Sequence, residues 1–266
     1  VYTAHVLHGE LARLRGLETT TLAQRGEARA FAEADVLSAP SRFVEARLRR
    51  ESSISAPIVL TPLAVSDSPG ARRSAERRVG SVTPARILMA SRFADVNGIS
   101  EVLGALPRLL TAHAEVELVI AGGLPENRKA ERRWRRRFDA ALEPLGAAER
   151  GRVLFAGWLR GEALAEAYRR ATLLWAPSWI ETFGLTVAEG QLHGLCVLAC
   201  RGGAVDERVE DGVSGRLCAA RDAEALLSAT LGLLADPAAT RAMGLEAARR
   251  SREAGLWQHV LPAWLG

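Results

Sequence analysis

The sequence predicts an α/β fold: a parallel sheet covered by helices on both faces, preceded by a second, smaller αβ unit. Three observations carry this expectation. From residue 85 onward, short apolar runs alternate with stretches of helical length, the pattern of successive βα units. The runs, such as LLWA (Leu173–Ala176) and CVLAC (Cys196–Cys200), are apolar throughout rather than alternating, as strands buried on both faces are. Glycines and charged residues gather just past the runs: Arg92, Gly122-Gly123, Glu181 and Gly202-Gly203 each follow a predicted strand. Ligands of open parallel sheets lie beyond the carboxyl ends of the strands, so this edge is the expected binding edge.

Residues 1–65 make the first unit. A strand is predicted at 1–4, a long helix over 21–33, a strand at 36–39, a helix over 41–50 and a strand at 58–61. Ser41 has the side chain of an N-cap. Glu45 follows within a turn and a half, where a carboxylate offsets the positive helix end. Residues 66–84 are polar and basic with glycine and proline, and read as a linker. The second unit spans 85–244, with strands at 86–90, 116–121, 153–156, 173–176, 196–199 and 215–218. Residues 245–266 form a terminal helix interrupted at Gly255 and Pro262.

Bulk composition narrows the class. With 48% hydrophobic and 25% charged residues, the chain is globular and has enough apolar residues for a sizeable core. No apolar run reaches the ~18 residues of a membrane-spanning helix, so any membrane contact is expected to be peripheral. Cys196, Cys200 and Cys218 sit in apolar runs without metal-ligand spacing. They read as small buried hydrophobes in a reducing, cytoplasmic setting. The net charge of +4 points only weakly to a polyanion. Basic residues concentrate at 128–138 (RKAERRWRRRF), which as a helix pairs Trp134 with Phe138 at i,i+4. Two readings stay open there: a solvated helix packed through its aromatic pair, and a face that docks on anionic lipid headgroups. No nucleic-acid module surrounds it, so no nucleic-acid partner is expected.

Residues 173–200 concentrate the chemistry. An apolar strand runs into a Pro-Ser-Trp loop carrying Glu181; Gly184 then opens a helix at Leu185, with Glu189 one turn inside. A helix start after a strand and loop leaves free backbone N–H groups, here at Phe183, Gly184, Leu185 and Thr186. With the positive end of the helix dipole they form a seat for phosphate or diphosphate. Glu181 and Glu189 flank that seat. A carboxylate offers acceptors and no donor, which suits sugar hydroxyls. The local reading is a phosphate-plus-polyol site.

Residues 181–190, Glu-x-Phe-Gly-Leu-Thr-x-x-Glu-Gly, resemble the E-x7-E signature of retaining glycosyltransferase family 4. Further segments resemble that family in order: RILMASRFADVNG (86–98), VELVIAGG (116–123), VLFAGWLR (153–160) and GGAVDERVEDGVSG (202–215). Trp257 resembles the tryptophan of its terminal helix, and Thr3-Ala4-His5 its N-terminal Thr-x-His segment. The resemblance implies a GT-B fold with two Rossmann-like domains. The C-terminal one would be complete and hold a nucleotide-sugar donor, and residues 245–266 would cross back onto the other. The chain would carry only part of the acceptor-side N-terminal domain, without roughly its first half.

Residue by residue, the resemblance implies that Glu189 binds the ribose of the donor and Glu181 the hydroxyls of its sugar. Phe183, Gly184, Leu185 and Thr186 would act through backbone amides. Arg92 would neutralise the diphosphate and stabilise the leaving group, His5 would contact the sugar or acceptor across the cleft, and Gly157, Trp158 and Leu159 would line the base pocket. Glu181, His5 and Arg92 are the catalytic candidates. Two departures stand out. Asn97 replaces the family's lysine, removing one of two cationic grips on the diphosphate. The glycine segment carries an extra residue, so its acidic position is Asp206 or Glu207, with Glu207 preferred. No Asp-x-Asp pattern lies in the matched segments, so no metal or other cofactor is expected.

The first functional reading is therefore a retaining hexosyltransferase using a UDP- or GDP-sugar and a lipid-linked or natural-product acceptor, in the cytoplasm or peripherally at the membrane's inner face. A second is a donor-binding subunit, weak or inactive without a complete N-terminal domain. A third is an epimerase or phosphorylase of the same fold. A phosphorylase needs a cofactor lysine, and the chain's only lysine, Lys129, lies in the arginine-rich segment.

Overall fold

The computed structural model describes residues 2–3, 22–50, 54–77, 85–254, 256, 258 and 260. The first unit has a parallel sheet in the order β1 (Tyr2–Thr3), β2 (Leu37–Ala39), β3 (Ile58–Leu60), with helices α1 (Leu22–Glu33) and α2 (Arg42–Leu48). Phe31, Leu37, Ala39, Val44 and Leu48 make its small core. Ser41 caps α2 as its residue type predicts, its hydroxyl accepting the Val44 N–H at 3.2 Å.

Residues 66–84 are not a plain linker. They contain helix α3 (Pro69–Arg77), which buries Ala71, Ser74 and Ala75. Pro69 sits at the first helical position, where its missing N–H costs nothing, and the Ser68 hydroxyl accepts the Ala71 N–H at 3.1 Å. The same glycine and proline that suggested a loop are thus helix-start residues.

The second unit contains every strand the sequence predicts: β4 (Arg86–Arg92), β5 (Glu117–Gly123), β6 (Val153–Gly157), β7 (Leu173–Ala176), β8 (Cys196–Cys200) and β9 (Arg216–Cys218). All pairs are parallel, in the order β6-β5-β4-β7-β8-β9. Helices α4 (Ile99–Ala112), α5 (Arg128–Leu142), α6 (Ala147–Gly151), α7 (Gly161–Arg170), α8 (Leu185–Leu192), α9 (Val205–Arg208), α10 (Ala223–Ala235) and α11 (Pro237–Ala254) connect or follow them. Strand β8 is buried at every position, which is why its sequence is apolar without alternation.

Two apolar layers cover the sheet. One joins Ile87, Met89, Leu118, Ile120, Trp175 and Leu198 to α4, α5 and α10; the other joins Leu88, Leu174, Val197 and Ala199 to Tyr168 and Val187. Each fully buried large side chain contributes about 1.5–3 kcal/mol. Trp175 also satisfies its indole N–H, donating to the Thr230 hydroxyl at 3.0 Å. The three cysteines are buried, as their apolar context predicts.

The last helix starts at Pro237 rather than at 245. Asp236 caps it by accepting the Ala239 N–H at 2.9 Å, and Pro237 occupies its first turn. The expected breaks at Gly255 and Pro262, and Trp257, lie outside the described residues. No helix among the described residues is long and apolar enough to cross a membrane.

The sheet reverses its winding between β4 and β7. From β4 the chain moves outward through β5 to β6, then returns to β7 and moves the other way. This switch point opens a crevice at the carboxyl edge, where sheets of this kind bind ligands.

Candidate functional site

A cavity of about 320 Å³ occupies that crevice. Arg92, Asn97, Trp158, Leu159, Glu181, Thr186 and Glu189 line it, together with Ser91, Tyr168, Pro177 and Ser178. Residues spread over nearly a hundred positions thus share one wall.

Glu181 is held by the glycine pair after β8. Its N–H donates to the Gly202 carbonyl at 3.2 Å, and its carbonyl accepts from Ala204 at 2.8 Å. A β-carbon on Gly203, at φ +85°, would stand 2.1 Å from the Glu181 carbonyl oxygen. The pair therefore exists to let the loop lie against it. Burial raises the Glu181 carboxyl above its ordinary pKa, against a smaller opposing effect of the Ser178 hydrogen bond. On the other side, Gly98 (φ +75°) would place a β-carbon 2.1 Å from the Pro177 carbonyl, so the turn before α4 also fixes this loop.

Helix α8 begins at Gly184, which is left-handed (φ 80°) and supplies no side-chain cap. Its first N–H groups thus keep no cap from their own start. Thr186 and Glu189 face the cavity, whereas Phe183, Gly184 and Leu185 do not line it. Phe183 is buried beneath Arg208, whose guanidinium lies 3.8 Å from the ring and whose Nε donates to the Phe183 carbonyl at 2.7 Å. Burial lowers the Arg208 pKa to about 10.

Glu189 is half-buried. Its Oε2 accepts from the Tyr168 hydroxyl at 2.9 Å. Burial raises the carboxyl, opposed by that hydrogen bond. The Tyr168 phenol is raised well above its ordinary pKa, chiefly by burial, and its ring stacks on His193 at 5.3 Å.

Arg92, exposed at the end of β4, forms an ion pair with Glu126. Asn97 turns inward on the same segment and donates from Nδ2 to the Arg92 carbonyl at 2.9 Å. Arg92 is the only cation lining the cavity among the described residues.

Of the other predicted residues, Gly157 lies at the end of β6 and lines a neighbouring cavity instead. His5 falls outside the described residues. The Asp206/Glu207 ambiguity resolves into two jobs. Asp206 accepts the Gly202 N–H at 2.9 Å, while Glu207 accepts the N–H groups of Arg42 and Phe43 at 3.1 and 2.7 Å. Glu207 thereby caps α2, and Ser41 adds a 2.7 Å bond to the Thr182 carbonyl. Tyr168 and Ser178 were not singled out from sequence. Ser178 lies two residues past the strand and could have been weighed as a carboxylate partner; nothing in spacing points from Tyr168 to Glu189. No group of three or more His, Cys, Asp or Glu side chains among the described residues could hold a metal ion.

Comparison with known proteins accords with this geometry. The profile of the family described as "Glycosyl transferases group 1" matches residues 84–236. A D-inositol 3-phosphate glycosyltransferase from Acidothermus cellulolyticus is 33% identical over 224 residues, 79% of this chain and 49% of its own length. A glycogen synthase from Mycobacterium tuberculosis is 30% identical over 68% of this chain and 41% of its own. The chain thus spans about half the length of the curated relatives it matches. Among solved structures, the sucrose-phosphate synthase of Thermosynechococcus elongatus superimposes with a TM-score of 0.79 at 24% identity, over 99% of this chain and 65% of that one. HepE of Anabaena, in complex with UDP and glucose, gives 0.77 at 18% identity, over 98% and 68%. These likenesses show a GT-B fold. The chain belongs to the group 1 glycosyl transferases.

Proposed function

We propose that this chain binds a nucleotide-diphospho-sugar, UDP- or GDP-linked, and transfers its sugar to an acceptor with retention of anomeric configuration. One observation carries the reading: Glu181 and Glu189 line a single cavity with Thr186 of the α8 N-terminus and Arg92. In this reading Glu181 takes the hydroxyls of the sugar and Glu189 those of the ribose, with the diphosphate over the helix start. Burial keeps both carboxylates strong acceptors once a polyol replaces water. HepE, solved with UDP and glucose, supports a uridine donor. The relative named GDP-mannose-dependent alpha-(1-6)-phosphatidylinositol monomannoside mannosyltransferase, from Mycolicibacterium smegmatis and 28% identical, supports guanosine and a lipid-linked acceptor.

In this mechanism the developing charge sits on the leaving diphosphate. The α8 N–H groups and Arg92 stabilise it, and a phosphate oxygen accepts the acceptor's proton as the new bond forms on the same face. Electrostatic preorganisation does most of the work, and no metal takes part. His5 is proposed to meet the sugar from across the cleft, and Trp158 and Leu159 to cover the base.

A second reading is a donor-binding chain with little turnover. Asn97 in the lysine position and the Arg92–Glu126 ion pair favour it, since both reduce free positive charge at the diphosphate. Proton NMR of wild type and Glu181→Ala incubated with UDP-glucose or GDP-mannose separates the two. The first reading expects product with the donor's own anomeric configuration and a roughly hundredfold slower variant. An inverted product contradicts retention. Nucleotide binding without turnover establishes the second reading.

A further inference from the structure

A second cavity, about 550 Å³, lies on the other face of the β5–β6 edge. Alternation along β5 separates the two: Ala121 lines the first, while Ile120 and Gly122 line the second. Arg128, Arg132 and Arg135 form one wall, spaced so that successive turns of α5 place them side by side. Phe93, Phe155 and Pro125 supply the apolar wall. The Arg135 guanidinium lies 3.7 Å from the centroid of Phe155 and also pairs with Asp139 at 3.1 Å.

The charges here are unbalanced. Arg128 and Arg132 have no acidic partner within ion-pair distance among the described residues, nor do Lys129, Arg133 and Arg136 on the adjoining face. Glu131 is the one acid lining the cavity among the described residues. Its carboxylate lies against the end of β5, 3.2 Å from where a β-carbon on Gly123 would stand. The α5 start adds positive potential, because Asn127 caps only the Ala130 N–H, at 3.0 Å. A merely solvated helix accounts for exposed arginines. It does not account for three of them lining one cavity beside aromatic rings, two of them, Arg128 and Arg132, without an acidic partner among the described residues.

We propose that this cavity is a second anion site, separate from the nucleotide-sugar cavity, that takes a phosphate group through Arg128, Arg132 and Arg135. Two sources carry that chemistry: a soluble phosphate monoester and a phospholipid headgroup. The inference stands apart from the transfer reading, since it uses none of the same side chains except through the shared strand.

Binding of glycerol 3-phosphate, and co-sedimentation with phosphatidylcholine vesicles with or without about 30% phosphatidylglycerol, distinguish the sources. The variants are the Arg128→Glu/Arg132→Glu pair, both exposed positions, and Arg92→Ala as a control for the first cavity. The double variant should bind at least about tenfold more weakly, with unchanged thermal unfolding, while Arg92→Ala keeps full binding. Binding should also weaken with added salt. Loss in Arg92→Ala instead, equal binding by the double variant, or no binding of either probe by wild type overturns the proposal.

Discussion

The Tyr168 hydroxyl donates a 2.9 Å hydrogen bond to Oε2 of Glu189, joining α7 to α8 at the wall of the crevice. One carboxylate oxygen is therefore occupied and oriented before any ligand arrives, leaving the other to receive a hydroxyl. Tyr168→Phe removes the donor but keeps the ring on His193. If Glu189 holds the ribose, the variant should lose about 1 kcal/mol of UDP affinity, roughly fivefold. It should lose much less for 2′-deoxy-UDP. Calorimetry with both nucleotides checks this, and an equal loss for the two would place Tyr168 outside ribose recognition.

Charge at the diphosphate end gives a second test. Asn97→Lys should tighten UDP binding several-fold and steepen its dependence on salt. Glu126→Gln should act in the same direction by releasing Arg92 from its ion pair. The Arg92 and Glu126 side chains are 58% and 52% exposed, so that change should cost under about 1 kcal/mol of stability. Fluorescence titration at two salt concentrations reads both effects.

The two half-buried carboxyls set a pH dependence. Both Glu181 and Glu189 have folded pKa values above the ordinary value of 4.5, so the folded state holds protons that the unfolded state has released. Their stability contribution is therefore complete at low pH and declines as pH rises from the ordinary carboxylate value through the raised one. Glu181→Gln should raise the ligand-free melting temperature at neutral pH and lose that advantage near pH 4. Thermal scans between about pH 4 and 8 decide it.

Gly203→Ala should be severe. Its left-handed backbone and a β-carbon 2.1 Å from the Glu181 carbonyl force the loop to move. A cost of about 2–4 kcal/mol is expected, with loss of nucleotide binding even where the variant still folds. Denaturant unfolding of the variant beside Gly212→Ala, which is also left-handed but meets only the end of Arg216, isolates the steric part.

The sheet was legible in the sequence because its central strands, β7 and β8 above all, are buried on both faces, so each stands out as an apolar run. The cavity wall was legible for a related reason: Arg92, Asn97, Glu181 and Glu189 all follow strand ends or open a helix. What escaped was tertiary. Helix α3 was hidden by Gly70 and Pro69, which suit a loop or a helix start equally. Tyr168 reaches Glu189 only because α7 and α8 cover the same face of the sheet, a fact absent from spacing. Arg208 over Phe183 is likewise a packing contact between a helix end and a loop. The glycine segment could not assign Asp206 and Glu207 because both acids are used, one within its own turn and one on α2.

Calorimetric titration of UDP and GDP into wild type and Glu189→Ala tests the central claim most directly. Saturable binding of at least one nucleotide, weakened about tenfold or more in the variant, is the predicted result. Unchanged binding in Glu189→Ala, or no binding of either nucleotide by wild type, would contradict it.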